Sequence, residues 1–335
     1  MPGPAAAVAA VRLAVRGVLA GPPTGSTVLV ACSGGADSLA LVAAVAFEAP
    51  RAGLRAGAVI VDHGLQADSA EVALQAAAAC RGLGLDPVEV VRVQVPETPA
   101  GPEDSARTAR YAALADAATR HTAVLVLLGH TRDDQAEQVL LGLARGSGAR
   151  SLSGMPPTRG CYARPLLGVT RAQTEAVCAE AGLVPWRDPH NADPSFARVR
   201  ARTALAELDA ALGPGLGAAL SRTAELLRDD ADLLDELAAA ARAALSDAAG
   251  DGGGSRGGGT AVEVAAAGLV ALPAALRRRV WRILAAESGA RALSATQVGL
   301  LDGLVLRWHG QGPVDLPGGV IAVREDGTIR LGPRL

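Results

Sequence analysis

"VLVACSGGADSLAL", residues 28–41, joins an aliphatic run to a second run with helical spacing through Ser-Gly-Gly-Ala-Asp-Ser. The first run predicts a buried strand, and the second predicts a helix that begins at Ser38. Two adjacent glycines permit positive φ and let a ligand approach the backbone closely. The free N–H groups and the macrodipole at a helix start favour an anion there. The stretch therefore predicts a phosphate-binding loop made of Ser33, Gly34, Gly35, Ala36, Asp37 and Ser38.

Two familiar nucleotide-binding loops are excluded. The GxxxxGK(S/T) loop requires a lysine, and the chain contains none. The GxGxxG spacing of dinucleotide-binding folds is absent as well. An acid beside phosphates is best explained by a divalent cation between them, which makes Asp37 a candidate metal ligand. A strand-to-helix turn capped by a serine explains the same residues without a ligand, and this alternative stays open.

Composition limits the class of protein. The 335 residues suffice for two domains. A formal net charge of −2 excludes a uniformly basic nucleic-acid-binding protein but leaves room for a local basic face. The cysteines form no CxxC pair, which argues against a zinc ribbon, an iron–sulfur cluster and a disulfide framework. They are Cys32, Cys80, Cys161 and Cys178.

The N-terminal segment is apolar, but Arg12 and Arg16 interrupt it. A secretory signal carries its basic residues before the apolar region, so this pattern predicts an amphipathic helix instead. No uninterrupted apolar run reaches membrane-spanning length. We therefore expect a cytoplasmic protein with no membrane partner.

Short aliphatic runs alternate with helical patterns up to about residue 190, as a parallel α/β sheet requires. Nearly continuous Val, Ile and Leu runs predict strands that are covered on both faces. The predicted strands are Thr27–Cys32, Ala58–Asp62, Val88–Val93 and Ala123–Gly129. The predicted helices are Ser38–Phe47, Ser69–Gly82, Ser105–Thr119, Asp133–Ala144 and Thr170–Ala181. We expect a doubly wound, mainly parallel sheet.

The pattern changes near Val199 to long helices, and the low-complexity segment "GDGGGSRGGG" follows at residues 250–259. Helices are predicted around Pro273–Ser288 and Thr296–Trp308, with a terminal hairpin that turns at Asp326-Gly327. We expect a catalytic domain at residues 1–200. A smaller, mainly helical domain with a β-hairpin is expected at residues 201–335.

A second group of polar residues follows the fourth predicted strand, in "LLGHTRDDQAEQVLLGLARGSG" at residues 127–148. Ligands of such sheets bind at the carboxyl ends of the strands, so this group lies on the same edge as the phosphate loop. His130, Asp133, Asp134 and Glu137 gather at the start of the next helix. Spacing by four puts Asp133 and Glu137 on one helix face, with Asp134 to the side. The helix dipole alone explains one or two of the acids.

The motif SGGxDS after a first strand resembles the pyrophosphate loop of the N-type ATP pyrophosphatases, the PP-loop superfamily. The order of further blocks resembles the tRNA(Ile)-lysidine synthase family over nearly the whole chain, in the short form that lacks an extra C-terminal domain. The blocks are VDHGL (61–65), EDSARTARY (103–111), RPLL (164–167), DPHNADPSFARVRAR (188–202), LPAALRRRVWR (272–282) and GPVDLPGGVIAVR (312–324). The chain departs from the family pattern at Gln66, Gln138, Gly142 and Val199.

This resemblance implies a ligase. The family uses ATP to adenylate the C2 oxygen of the wobble cytidine in the isoleucine tRNA with a CAU anticodon. Free L-lysine then displaces AMP, and codon reading switches from AUG to AUA. The implied cofactors are ATP and Mg²⁺, with Asp37 on the metal. A homodimer is left open.

The resemblance also implies roles for individual side chains. Asp37, His130, Asp134 and Arg110 are the candidate catalytic residues, and Asp134 is the candidate for the lysine ammonium or for the metal. His63 is expected to shape the adenosine pocket. The remaining candidates for contacts with lysine or tRNA are Asp133, Glu137, Arg107, Arg198, Arg200 and Arg202.

Ordinary helix faces are a competing explanation for the arginines. Arg107 and Arg110 are three apart, on one face of a helix, where they could neutralise phosphate or simply be solvated. Arg198, Arg200 and Arg202 would face one side of a strand but splay around a helix. The run "LRRRVWR" at 276–282 is explained about equally well by RNA binding and by a charged helix surface.

Two other functions compete with lysidine formation. Another PP-loop enzyme, such as a thiolase of tRNA cytidine or uridine, also adenylates a base carbonyl, but such enzymes generally carry paired cysteines. A non-catalytic nucleotide-binding or RNA-binding protein would be expected to lack Asp37 or the Asp133-Asp134 pair, and all three acids are present.

Overall fold

A computed structural model describes residues 4–64, 66, 68–96, 102–146, 148–247 and 261–334. The chain divides into two compact units, Met1–Arg228 and Asp229–Leu335. Leu65, Ser147 and the glycine-rich segment 250–259, which the sequence analysis singled out, lie outside the described residues. In the described part of the chain, no helix is both long and apolar enough to cross a membrane.

Helices and strands alternate through the first part of the chain. In chain order they are α1 (Ala6–Leu19), β1 (Thr27–Ala31), α2 (Ala36–Glu48), β2 (Arg55–Asp62), α3 (Ser69–Gly82), β3 (Val88–Arg92), α4 (Pro102–Arg120), β4 (Ala123–Leu128), α5 (Arg132–Ala144), α6 (Ala149–Leu152), β5 (Thr158–Arg159), β6 (Tyr162–Ala163), α7 (Arg171–Glu180), α8 (Ala197–Leu212) and α9 (Leu216–Asp247). The amphipathic N-terminal helix and the four predicted strands are confirmed.

Among the described residues, the strands of the first unit form a six-stranded sheet in the order β3-β2-β1-β4-β6-β5. Pairing is parallel except between β5 and β6. Every residue of β1 is buried. Val28 and Val30 pack toward α1 and α2, whereas Leu29 and Ala31 pack toward α4. This burial on both faces explains the continuous aliphatic run of β1 and confirms the doubly wound, mainly parallel fold.

In the first unit, the structure corrects the start of one helix and adds two short strands to the sheet. Helix α2 begins at Ala36 with Gly35 as its N-cap, so Ser38 lies inside the first turn. The Ser38 hydroxyl donates to the Gly35 carbonyl oxygen at 2.9 Å instead of capping the helix from outside. Strands β5 and β6 have two residues each, which is too short for a periodic hydrophobic signal.

The second unit combines helices with an antiparallel sheet. Its remaining elements are β7 (Val262–Ala265), α10 (Ala266–Ala271), α11 (Ala274–Glu287), α12 (Ala295–Leu306), β8 (Val314–Leu316), β9 (Val320–Glu325) and β10 (Thr328–Pro333). The described strands pair in the order β7-β10-β9-β8. The predicted terminal hairpin is confirmed as β9 and β10, with positive φ at Asp326 and Gly327. The short strands β7 and β8 extend it on either side.

The arginine run on α11 is mainly structural. Arg277 is buried and donates to the Asp302 carboxylate at 2.9 Å, and the same carboxylate oxygen accepts from the indole of Trp281 at 2.9 Å. Arg279 donates to Asp235 at 2.8 Å. Arg278 is 62% exposed, and its Nε lies 3.5 Å from the other oxygen of Asp302. Most of this run therefore holds the second unit together.

Replacing Asp302 with asparagine should destabilise the second unit. The change removes the charge that two buried donors share, and hydrogen bonds to charged groups are worth about 1.5–3 kcal/mol. We expect a lower thermal midpoint in calorimetry, whereas Asp315→Asn, at an exposed ion pair with Arg334, should leave it nearly unchanged. Equal midpoints for the two variants would contradict the structural role of Asp302.

Candidate functional site

The loop between β1 and α2 has the geometry of a phosphate cradle. Gly34 has a φ of +83°, a backbone conformation that residues with a side chain rarely adopt. The Ser33 N–H donates to the Ser38 hydroxyl oxygen at 3.2 Å, which draws the loop across the start of α2. The Trp186 N–H donates to the Gly34 carbonyl at 2.9 Å and ties the loop to a distant segment. Contacts within the chain thus define the shape of the loop.

The loop after β4 touches the phosphate loop. β1 and β4 are neighbours, and their last residues, Ala31 and Leu128, are paired in register. A β-carbon at Gly129 would lie 3.2 Å from the carbonyl carbon and oxygen of Asp37 and from the Cα of Ser38. Since these atoms belong to the backbone, only glycine fits here without moving the loop. The prediction that both polar groups share one sheet edge is confirmed.

Asp37 points toward α7. The Thr174 hydroxyl donates to Asp37 Oδ1 at 2.5 Å, and Arg171 Nε lies 3.6 Å from Oδ2. Burial raises the pKa of Asp37, and the charge of Asp134 raises it further, while Thr174 and Arg171 act in the opposite direction. The carboxylate is held from one side and borders a large cavity.

The acids of α5 are arranged differently from the sequence prediction. Asp134 completes a capping box: its Oδ2 accepts from the Thr131 N–H at 2.7 Å and from the Thr131 hydroxyl at 3.0 Å. Asp134 and Glu137 line the cavity. Asp133 instead accepts from the Arg171 N–H at 2.8 Å. The prediction that Asp134 looks aside was wrong, because capping turns its carboxylate toward the cavity. Asp133 and Glu137 both contact Arg171, as their shared helix face predicts.

One carboxylate oxygen of Glu137 receives no hydrogen bond from the described residues. Its side chain is 3% exposed, and its Oε1 accepts from Arg202 Nε at 2.8 Å. Its Oε2 is buried and has no hydrogen-bond partner among the described residues. A buried carboxylate oxygen without a donor is costly, which makes this atom a candidate acceptor for a cationic ligand.

The sequence analysis missed Arg171, which the structure places at the centre of these acids. Its guanidinium lies 3.1 Å from Asp134 and 3.7 Å from Glu137. Burial works against its charge, but these carboxylates and Asp37 raise the pKa of Arg171. Arg171 is the first residue of α7, where the helix dipole disfavours a cation. That unfavourable position is the sequence signal that could have revealed acidic partners elsewhere.

Arg110 and His130 line the same cavity as the acids, and we call these two residues the basic wall. Arg110 borders both major cavities of the first unit, and exclusion of water lowers its pKa. Burial, together with the charges of Arg110 and its neighbours, lowers the pKa of His130 to about 3, although Asp134 acts in the opposite direction. His130 is therefore a neutral imidazole at physiological pH. Its Nδ1 and that of His63 have no partners among the described residues.

The predicted arginines differ in their surroundings. Arg107 is exposed and its guanidinium lies 5.0 Å from the centroid of the Tyr111 ring, whereas Arg110 borders the cavities. Residues 198–202 lie on a helix, which settles the choice between strand and helix. Arg198 and Arg202 line the cavity. Arg200 turns back to donate to the carbonyls of residues 194 and 195.

Two adjoining cavities border the phosphate loop. The larger has a volume of about 910 Å³ and joins the acids, Arg171 and the basic wall. The smaller, of about 270 Å³, lies on the other side of Ser33 and is lined by His63, Trp186 and aliphatic residues of β2. Gln66 donates to Asp188 at 2.9 Å beside this cavity. The pair suits a nucleoside in the small cavity and its phosphates plus a second substrate in the large one.

The donor set fits a magnesium ion that arrives with phosphates. No group of three or more His, Cys, Asp or Glu side chains in the described ranges is arranged to hold a metal alone. Asp37 offers one carboxylate beside the phosphate loop, and Mg²⁺ typically combines one or two carboxylates with substrate phosphates. All four cysteines are unpaired, and three of them are buried.

Comparison with known proteins agrees with this geometry. A family described as the PP-loop domain matches residues 13–208, and one described as the TilS substrate binding domain matches residues 265–330. The chain is 54% identical to the tRNA(Ile)-lysidine synthase of Thermobifida fusca (strain YX), with 98% of each chain covered. It is 50% identical to that of Streptomyces coelicolor (strain ATCC BAA-471 / A3(2) / M145), again over 98% of each chain.

A solved structure shares the fold at greater distance. The U34-tRNA thiolase NcsA from Methanococcus maripaludis, with its [4Fe-4S] cluster, is 18% identical and has a TM-score of 0.54. The match covers 66% of this chain and 80% of that chain. This likeness supports the PP-loop fold alone.

Proposed function

The chain belongs to the tRNA(Ile)-lysidine synthase family, and we propose that it joins free L-lysine to the wobble cytidine of the isoleucine tRNA with a CAU anticodon. It is an ATP-dependent ligase that forms a carbon–nitrogen bond. The observation that carries the proposal is the meeting of a phosphate loop, an acidic array and a basic wall around one cavity. Residues 1–200 would perform the chemistry in the cytoplasm, and residues 201–335 would bind tRNA.

The first step activates the base. The C2 oxygen of cytosine attacks the α-phosphorus of ATP, an O–P bond forms, and pyrophosphate leaves. We assign the phosphates to the backbone of Ser33 to Ser38 and the adenosine to the smaller cavity near His63. Arg110 would offset the charge of the departing pyrophosphate. Neutral His130 would hydrogen-bond to phosphate or to the base, without supplying a proton as an imidazolium.

Asp37 is the proposed magnesium ligand. Bound there, Mg²⁺ would neutralise charge on the phosphates and orient them for displacement. The Thr174 hydroxyl donates to Oδ1 of Asp37, and this hydrogen bond restricts rotation of the whole carboxylate. A cation at this position would offset the cost of burying the charged form of Asp37.

The second step transfers lysine. The side-chain nitrogen attacks C2 of the adenylated base, the C2–O bond breaks, and AMP leaves. The attacking amine must be neutral, so an ammonium proton passes to a carboxylate or to water. One oxygen of Asp134 accepts a hydrogen bond from Thr131 and the other accepts one from Arg171. Glu137 Oε2 has no hydrogen-bond partner among the described residues. We therefore assign the lysine ammonium to Glu137 and give Asp134 an orienting role.

Arg198 is the proposed tRNA contact of the α8 cluster. It lines the cavity and forms no ion pair with a described residue, whereas Arg202 is paired with Glu137 and Arg200 with backbone carbonyls. An arginine in this position suits an RNA phosphate near the reacting base.

Arg198→Ala should weaken tRNA binding and lower its salt dependence. Each lost phosphate contact reduces the slope of log affinity against log salt by about one. Filter binding at several salt concentrations measures that slope, and isothermal titration should find ATP affinity unchanged. Arg200→Ala serves as the matched control and should leave the slope unaltered. Equal slopes for wild type and Arg198→Ala would show that Arg198 does not contact the RNA phosphates.

One assay tests the proposed function directly. The protein is incubated with CAU isoleucine tRNA, ATP and labelled lysine, and the RNA is analysed for label and the solution for AMP. We expect label in the RNA in proportion to AMP, and none in a tRNA whose wobble cytidine is replaced by uridine. Absence of lysine incorporation, with base modification that depends on a sulfur donor, would instead identify a thiolase.

A further inference from the structure

The acidic array, which consists of Asp37, Asp133, Asp134 and Glu137, already contains a cation supplied by the chain. Arg171 Nε lies 3.6 Å from Asp37 Oδ2, Nη2 lies 3.1 Å from Asp134 Oδ1, and Nη1 lies 3.7 Å from Glu137 Oε1. Each guanidinium nitrogen thus faces a different carboxylate. The Arg171 N–H also donates to Asp133 at 2.8 Å. One residue therefore contacts all four acids of the site.

Without this guanidinium, the same acids would resemble a site for a hard divalent cation. Asp37, Asp134 and Glu137 would present carboxylate oxygens toward a shared space, and such oxygens are the usual ligands of Mg²⁺ and Mn²⁺. The guanidinium occupies the space between these oxygens, with its nitrogens 3.1–3.7 Å from the three carboxylates.

Charge leads to the same conclusion. The charges of the four carboxylates are only partly offset by the guanidinium groups of Arg171 and Arg202, of which Arg202 pairs with Glu137 alone. Arg171 is 26% exposed, so solvent screens its attraction to the acids only in part. Its removal would leave closely spaced like charges, which attract the nearest available cation.

We propose that Arg171 is a positioning residue that serves as the internal counter-ion of Asp37, Asp134 and Glu137. It orients the three carboxylates and prevents them from capturing a divalent cation in the absence of nucleotide. The metal then enters with the ATP phosphates instead of occupying the lysine site beforehand. The role of Asp37 in this scheme rests on the proposed function, whereas metal binding to the nucleotide-free protein does not.

Binding of Mn²⁺ to the full-length protein without ATP tests this role. Free Mn²⁺ is followed by electron paramagnetic resonance for wild type, Arg171→Gln and Arg171→Lys. We expect Arg171→Gln to bind Mn²⁺ about tenfold more tightly than wild type, because a nearby positive charge has been removed. Arg171→Lys, which keeps the charge, should stay close to wild type. Arg120→Gln breaks an ion pair with Glu89 outside the site and should change nothing.

A double variant identifies the location of the new metal site. Adding Asp37→Asn to Arg171→Gln should cancel the gain in Mn²⁺ affinity. An unchanged affinity in Arg171→Gln, or a gain that survives Asp37→Asn, would overturn the proposal. Should Arg171→Gln fail to fold by circular dichroism, Arg171→Met carries the same comparison, since it keeps the length of the stem.

Kinetics supply a second readout. In Arg171→Gln we expect kcat for adenylation of tRNA to fall about tenfold to a hundredfold, with a smaller change in KM for lysine, and partial rescue by Arg171→Lys. Equal losses in the glutamine and lysine variants would contradict a role that depends on charge. If the wild-type protein forms no lysidine at all, the proposed function fails, while the Mn²⁺ comparison still decides the role of Arg171.

Discussion

Asp37→Ala is expected to reduce the formation of AMP and pyrophosphate by a factor on the order of 10²–10³. The change removes the charged group between the phosphate loop and α7 without removing volume from the hydrophobic core. Asp37→Asn, which preserves shape and loses charge, should be nearly as damaging. Pyrophosphate release with saturating tRNA and lysine measures the effect, and circular dichroism checks that the fold is retained.

Thr174→Ala is the matched control for Asp37. It deletes the hydroxyl that donates to Asp37 Oδ1 but leaves the carboxylate in place. We expect a loss of about tenfold, since a hydrogen bond to a charged group is removed and the charge remains. Wild-type turnover in Asp37→Asn would show that the loop does not use this acid, and the magnesium assignment would be lost with it.

Glu137→Gln is expected to raise KM for lysine by about one to two decades while adenylation of tRNA continues. A charge-assisted hydrogen bond is worth about 1.5–3 kcal/mol, which corresponds to that range. The adduct between AMP and tRNA should accumulate when lysine is limiting, because only the second step is impaired. Quenched-flow separation of free AMP from the RNA adduct measures both steps.

The lysine-free composition of the chain makes a direct measurement possible. Every side-chain ammonium signal in a spectrum of the protein with ¹⁵N-labelled lysine comes from the substrate. Glu137→Gln should abolish the signal of bound lysine at concentrations where wild type shows it. Asp134→Asn should instead impair both steps, since Asp134 caps α5 and contacts Arg171. Loss of lysine binding in Asp134→Asn alone, with normal adenylation, would show that Asp134 and not Glu137 binds the lysine ammonium.

Sequence reasoning recovered the elements that depend on local pattern. β1 and the last three residues of β4 are buried, so both strands appear as aliphatic runs. The SGGxDS and His-x-x-Asp-Asp groups each follow such a strand, and adjacent parallel strands bring their carboxyl ends together. For this reason the site edge could be predicted from residues about a hundred positions apart.

Contacts that depend on side-chain direction were not recoverable. Helical spacing placed Asp133 beside Glu137, but the hydrogen bonds from Thr131 turn Asp134 toward the cavity. Arg171 and Thr174 follow the fourth strand by some forty residues and carry no motif. A cation at the start of α7 indicates acidic partners, but which acids it meets depends on the packing of α7 against α2.

The close approach at Gly129 fixes the spacing between the two groups of polar residues. A β-carbon there would lie 3.2 Å from backbone atoms of Asp37 and Ser38, which is closer than side chains normally pack. Any larger residue would therefore have to displace either the phosphate loop or the segment that carries His130 and the α5 acids. The distance between the phosphate loop and those acids thus depends on a residue that has no side chain of its own.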